Sequence, residues 1–253
     1  MEQKTECFIE IKNLSYKYPD SDEYILRNVD LDIELNSING IVGKSGIGKT
    51  TLLKIIAGLL LPTEGSLFIK GMTIREFREQ GKIGYMSQTE SFFPFKTIRS
   101  NIEVPFKISS SNGKMSEELF NDLMTGLKIE KTEKLYPRQL SGGMLQRAKL
   151  ARAMITMPDL LLIDEGFSAL DEQTKTSILF DFRQLWNEKE TTVIFVSHNL
   201  MDAVVLADNI LIFNNIDNIS KYNVALSEHR KETILVTDAF FKQTANVRKF
   251  IHG

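Results

Sequence analysis

Eight consecutive residues, Gly43-Lys44-Ser45-Gly46-Ile47-Gly48-Lys49-Thr50, have the types and spacing needed to hold a polyphosphate. Two glycines with four residues between them, followed by Lys and a hydroxyl residue, form the phosphate-cradling loop pattern. A triphosphate is an anion, so such a loop must turn its backbone N–H groups inward, through φ values that glycine adopts cheaply. Lys49 then offers a point charge to the β and γ phosphates and Thr50 a hydroxyl to Mg²⁺, while the helix that starts there adds its positive dipole end. Ile41-Val42 reads as the end of a buried strand, and Thr51-Leu52-Leu53-Lys54-Ile55-Ile56-Ala57 reads as a helix closed near Gly58 and Pro62. That strand–loop–helix context argues against a glycine-rich turn that fits by chance.

Other chemistry-bearing residues sit where predicted strands end. Leu160-Leu161-Leu162-Ile163 is an uninterrupted apolar run, as expected of a strand buried on both faces of a parallel sheet. Asp164 and Glu165 follow it. In an open α/β sheet ligands bind at the carboxyl ends of strands, where Asp164 can support Mg²⁺ and Glu165 can orient or deprotonate a water. Gln88 ends a strand predicted at Ile83–Met86, and Ser197-His198 ends one at Thr192–Val196. Alone, a loop glutamine or a strand-end histidine is usually structural. Leu140-Ser141-Gly142-Gly143-Met144-Leu145-Gln146-Arg147 places a serine and paired glycines before a long helix, whose N-terminus is either an anion site or only a cap.

The remaining elements must hold these groups in place. Alternation of apolar and polar residues over 8–11 and 29–35 predicts a small antiparallel sheet, with Tyr18 in the turn between, either stacked on a base or simply a wet tyrosine. Residues 66–69 read as a further strand. Ser116 is expected to cap a helix with Leu119, Leu123, Met124 and Leu127 on its apolar face. Ser109–Lys114 reads as a polar loop. Phe92, Phe93 and Phe95 flank Pro94, as either a local core or a partner-binding patch. Ile178, Leu179, Phe182, Leu185 and Trp186 mark another helix, then residues 200–207 a helix and 210–213 a strand. Residues 214–221 read as a polar loop, and Asp238 as the cap of a last helix bearing Phe240, Val247 and Ile251.

The 253 residues are 42% hydrophobic and 25% charged, ordinary for a globular protein, and the net charge of −2 suggests no polyanion-binding surface, so no nucleic-acid partner is expected. The single cysteine, Cys7, cannot form an internal disulfide, which suits a reducing compartment. No signal peptide is visible and no apolar run approaches the ~20 residues that cross a bilayer.

With these elements in this order, from about residue 8 to residue 213, the sequence resembles the ATP-binding subunit of an ABC transporter. Residues 43–50 match Walker A, Gln88 the Q-loop, Leu140–Gln146 the signature motif, Leu160–Asp164 Walker B, Glu165 the catalytic glutamate, Ser168-Ala169-Leu170-Asp171 the D-loop and His198 the switch histidine. The resemblance implies a P-loop NTPase core of mainly parallel sheet flanked by helices, with an N-terminal antiparallel β subdomain and an inserted helical subdomain at about 89–150. All 253 residues would form one domain, with a short C-terminal extension from about 214.

It also implies the roles. ATP is bound by Tyr18, Gly43, Lys44, Ser45, Gly46, Ile47, Gly48, Lys49, Thr50 and Thr51, and by Ser141, Gly142 and Gly143 of a second copy joined head to tail. Mg²⁺ is held by Thr50, Gln88 and Asp164. Glu165, His198 and Gln88 are catalytic. Closure of the pair drives an integral membrane permease, which can in turn receive a solute-binding protein, so the subunit sits at the cytoplasmic face of the cell membrane. Phe93-Pro94-Phe95, residues 165–171 and residues 199–207 look most like importers of nitrate, sulfonates and taurine. Lipid or lipoprotein exporter motors share every catalytic residue. A soluble iron–sulfur assembly scaffold is not excluded by architecture, whereas DNA-repair and translation types fit poorly because the insert is short and the cassette single.

Three positions depart from the family pattern. Lys44 replaces a usual proline, Asn214–Asn218 replaces a glycine-containing turn, and Gly166 stands where proline follows the glutamate. The flanking matches lead to the expectation that Gly166 has a proline-compatible φ and that Gly166→Pro stabilises the fold by ~0.4–1 kcal/mol.

Overall fold

The computed structural model describes residues 6–80, 83–88, 92–109, 115–167, 170–186, 190–227 and 230–252. Ser91, most of the polar loop over 109–114, and Ser168-Ala169 of the D-loop match therefore lie outside the described residues. Two sheets form among them. The first is antiparallel, in the order β2 (Leu26–Glu34), β1 (Cys7–Tyr16), β4 (Glu64–Ile69), β5 (Met72–Thr73). The second runs β10 (Asn218–Asn223), β9 (Asn209–Asn215), β3 (Ile38–Gly43), β8 (Thr192–Val196), β7 (Leu160–Asp164), β6 (Ile83–Met86), parallel throughout except for β10.

The parallel strands read as continuous apolar runs because both faces are covered. Leu160 and Leu162 of β7 join a core with Ile194 and Val196 of β8, the antiparallel sheet, α1 (Lys49–Ile56) and α2 (Ile74–Glu79). Leu161 and Ile163 point the other way, with Val193 and Phe195, into a core built from α3 (Ile98–Ile102), α4 (Val104–Ser109), α5 (Glu117–Gly126), α6 (Gly142–Met154), α7 (Glu172–Trp186), α8 (Leu200–Leu206) and α9 (Asp238–His252). That period-two split places the sheet at the centre. Ser116 caps α5 as expected, its side chain accepting from the Leu119 N–H, and Leu123, Met124 and Leu127 are buried.

Three expectations are corrected. Residues 214–221 are not a loop: β9 turns back through Ile216-Asp217 into β10, with a bulge that leaves Asn214 unpaired in the ladder. Arg27 N–H donates to the Ile216 carbonyl at 2.9 Å, tying this hairpin to β2, so the turn that departs from the family pattern is a junction between the two sheets. The cap of α9 is Thr237, whose hydroxyl accepts from the Phe240 N–H at 3.3 Å, and Asp238 is the first helical residue. Finally, Phe92 separates from its neighbours. It is buried in the main core with the Arg152 guanidinium 4.4 Å from its ring centroid, while Phe93 and Phe95 are 43% and 73% exposed.

Candidate functional site

The phosphate-cradling loop leaves β3, the strand between β9 and β8, and enters α1 at Lys49. Gly46 (φ 78°) and Gly48 (φ 108°) both take left-handed backbone, and a Cβ on Gly48 would lie 3.0 Å from the Ile25 carbonyl oxygen, so glycine is needed there for conformation and for space. Lys49 is nearly buried, and its ammonium donates to the carbonyls of Gly43 (2.9 Å) and Lys44 (2.8 Å). Burial lowers the Lys49 pKa, partly offset by the carboxylates of Glu165 and Asp164. A desolvated cation at the mouth of inward-curving amides gains most from an arriving anion.

Asp164 is the last residue of β7, and its Oδ1 accepts from Thr50 Oγ1 at 2.8 Å. Burial raises its pKa, and the Thr50 hydrogen bond opposes that shift. Glu165 follows with φ 53°, a left-handed conformation that costs a residue with a Cβ roughly 1 kcal/mol or more. That turn aims its carboxylate sideways across the strand ends. Gln88, just past β6, donates from Nε2 to Glu165 Oε2 at 2.6 Å, and His198, just past β8, bonds through Nε2 to Glu165 Oε1. Residues following three adjacent strands thus meet on one carboxylate, a contact that their strand-end positions alone did not indicate.

Gly166 does not have a left-handed φ, as expected, but it lacks the room expected of it. A Cβ there would meet Ile163 Cγ2 at 2.6 Å and Met86 Cε at 3.1 Å. Its carbonyl accepts from Gln146 Nε2 of α6, a link between the α6 start and the Glu165 turn that the motif alone did not indicate. Tyr18 is half-exposed, edge-on to Tyr16, with its hydroxyl 3.2 Å from Thr51 Oγ1.

Ser141 caps α6, accepting from the Met144 N–H at 3.3 Å, and Gly142 and Gly143 open the helix. Among the described residues no hydrogen bond joins these three to the strand-end cluster. Gly143 instead sits against α7, where a Cβ would meet Thr174 Cγ2 at 2.6 Å. Ser141 and Gly142, at the very start of α6, are exposed to solvent. Sequence reading passed over Lys175 and Asp202, both buried close behind His198. A charged residue three before Ile178 in the apolar stripe of α7 was the available signal.

The ABC transporter family model matches residues 26–168. The ABC transporter ATP-binding protein YtlC of Bacillus subtilis is 41% identical over 191 residues, which is 75% of this chain and 72% of that protein. The aliphatic sulfonates import ATP-binding protein SsuB of Bacillus cereus is 35% identical over 75% of this chain and 74% of its own length. The formylaminopyrimidine import ATP-binding protein ThiZ of Halalkalibacterium halodurans is 32% identical over 96% and 94%. Among solved structures, the bacterial ABC transporter cassette MJ0796 superposes with a TM-score of 0.74 at 29% identity, covering 87% of this chain and all of that one. It is described as a dimer and, in a second structure, in a post-hydrolysis state bound to ADP and phosphate.

Proposed function

The chain belongs to the ABC transporter family as an ATP-binding, ATP-hydrolysing subunit, and from that premise we propose that it powers import of a small solute through a separate membrane permease. The observation that carries the site assignment is the convergence of Lys49, Thr50, Gln88, Asp164, Glu165 and His198 at the carboxyl ends of four neighbouring strands. Lys49 exchanges its two carbonyl partners for phosphate oxygens. The loop amides of 44–49 bind the β phosphate, Thr51 anchors the start of α1, and Tyr18 stacks on the base. Mg²⁺ fits a donor set of one hydroxyl, one carboxylate and one side-chain amide from Thr50, Asp164 and Gln88, completed by substrate phosphates. When bound, it neutralises charge on the phosphates.

Glu165 polarises the attacking water. His198 and Gln88 hold that carboxylate by both oxygens and steady charge in the transition state, so catalysis is mainly positioning and electrostatics. Ser141 and Gly142, exposed at the start of α6, together with Gly143 serve the γ-phosphate of a second copy joined head to tail, and the dimeric description of the MJ0796 cassette supports a pair. No described helix is long and apolar enough to cross a membrane. The work of closure is delivered to a permease at the cytoplasmic face of the cell membrane, and a solute-binding protein feeds that permease from the other side. The sulfonate importer relative supports a cargo of the nitrate, sulfonate or taurine type.

Phe93 and Phe95 are the permease anchor, exposed and tilted together at 5.9 Å between centroids just beyond Gln88. Phe93→Ala is expected to weaken permease binding by about 2 kcal/mol and leave ATP binding and the melting temperature of the isolated subunit unchanged. Co-purification of an integral membrane protein with the wild-type subunit, and its loss with this variant, checks both the partner and the surface. A variant that melts early while still holding the permease refutes the anchor.

A further inference from the structure

Behind His198 lies a buried polar network that the reaction as described does not use. Asp202 on α8 and Lys175 on α7 are each 7% exposed, with Lys175 Nζ 3.2 Å from Asp202 Oδ1. The other Asp202 oxygen accepts from Ser197 Oγ at 3.2 Å. Ser197 Oγ also contacts the Asn199 carbonyl and accepts from the Asn199 N–H, both at 3.1 Å, so one side chain bridges from residue 197 to residue 199 across the turn that carries His198. Lys175 further pairs with Glu172 at 2.6 Å, and Glu172 accepts from Asn199 Nδ2 at 3.3 Å. Lys175, Ser197, Asn199 and Asp202 line a single cavity together with Glu165, Phe167 and His198.

A buried charge pair is weak evidence for stability, because desolvation cancels much of its attraction. Burial indeed raises the Asp202 pKa in spite of Lys175. The network therefore calls for another explanation, and its geometry supplies one. His198 is itself 41% exposed, so packing does not fix its ring, and the residues on either side of it, Ser197 and Asn199, are the ones bonded to the rest of the fold. Lys175 lies one turn into α7, the helix that begins directly after Asp171, and Asp202 lies in the first turn of α8. The pair thus ties the segment entering α7 to the segment carrying His198.

We propose that Lys175, Asp202 and Ser197 are positioning residues that hold His198 on the Glu165 carboxylate. The inference rests on the catalytic reading of Glu165 and His198. The network touches neither the loop amides nor Lys49, so it affects turnover and not ATP affinity.

The test is steady-state ATP hydrolysis with a melting curve on four variants of the full chain. Ser197→Ala removes one hydroxyl and leaves every charge paired. It should lower kcat about tenfold or more through misplacement of the reacting groups, with KM for ATP and melting temperature unchanged. Asp202→Asn should lower both kcat and melting temperature. The double variant Lys175→Met/Asp202→Leu replaces both charges by apolar groups, and it should recover the melting temperature without recovering kcat. His198→Ala is the control for the underlying reading. Unchanged kcat in Ser197→Ala, or full recovery of kcat in the double variant, overturns the positioning role. If His198→Ala itself retains full turnover, the catalytic reading of His198 fails, and the positioning role fails with it.

Discussion

Replacing Glu165 by glutamine is expected to lower ATP hydrolysis by roughly 10²–10⁴-fold, the usual range for loss of a general base, while leaving ATP binding intact. The substitution is nearly isosteric. Glutamine keeps the length of the side chain, so the left-handed turn after β7 and the contact with Gln88 or His198 survive on at least one side. What is lost is the negative charge and the proton-accepting lone pair. The groups that hold phosphate, Lys49 and the loop between β3 and α1, keep their place without Glu165, since the Lys49 ammonium donates to the Gly43 and Lys44 carbonyls. Binding and turnover should therefore separate cleanly, as unchanged affinity in a nucleotide titration beside a collapsed steady-state rate. Near-normal turnover would remove Glu165 from the mechanism.

Gly166→Pro is the second large effect, and its sign is the reverse of what family likeness alone leads one to expect. The native φ is not left-handed, so glycine is not there for its conformational range. It is there because a Cβ would stand 2.6 Å from Cγ2 of Ile163, a fully buried, β-branched residue of β7 that has no alternative place to go. Overpacking of this kind costs about 1–3 kcal/mol. Proline adds a second conflict, since it restricts the preceding residue to extended backbone, and that residue is Glu165 at φ 53°. The carboxylate would swing away from Gln88 and His198, and a displacement of that size can cost on the order of 10²-fold in rate. A thermal melt and an ATPase assay on the same variant check both halves. A higher melting temperature with normal turnover would show that the turn accepts proline after all.

The reversal illustrates what was legible in the sequence. The chemistry-bearing residues were, because their spacing relative to strands and helices is set by local geometry. An apolar run of four ends at Asp164, and a period-two strand places whatever follows at the ligand edge of the sheet. The parallel core was legible for the same reason. Contacts between distant segments were not. The room around Gly166 depends on how the turn folds back over Ile163 and on Met86 arriving from β6. Phe92 and Phe93 are adjacent and identical in type, yet one is core and the other surface, because only Phe92 faces Arg152 of α6. Strand β10 reads as a loop since its residues are mostly polar. What makes it a strand is its ladder to β9 and the bond from Arg27 to Ile216 at the turn, not an apolar face. The Lys175–Asp202 pair left only a faint trace, one charge in an apolar stripe.

In the proposed function ATP is the bond between two copies of this chain, each supplying half of every site. Light scattering of purified Glu165→Gln protein with and without ATP tests it most directly, since binding without turnover should trap the closed pair. The expected mass is that of a monomer without nucleotide or with ADP, and twice that mass with ATP. The ATP-dependent doubling should be lost on adding Ser141→Arg, which blocks the exposed start of α6 while leaving the loop of its own chain free. A protein that binds ATP fully and still scatters as a monomer would contradict it.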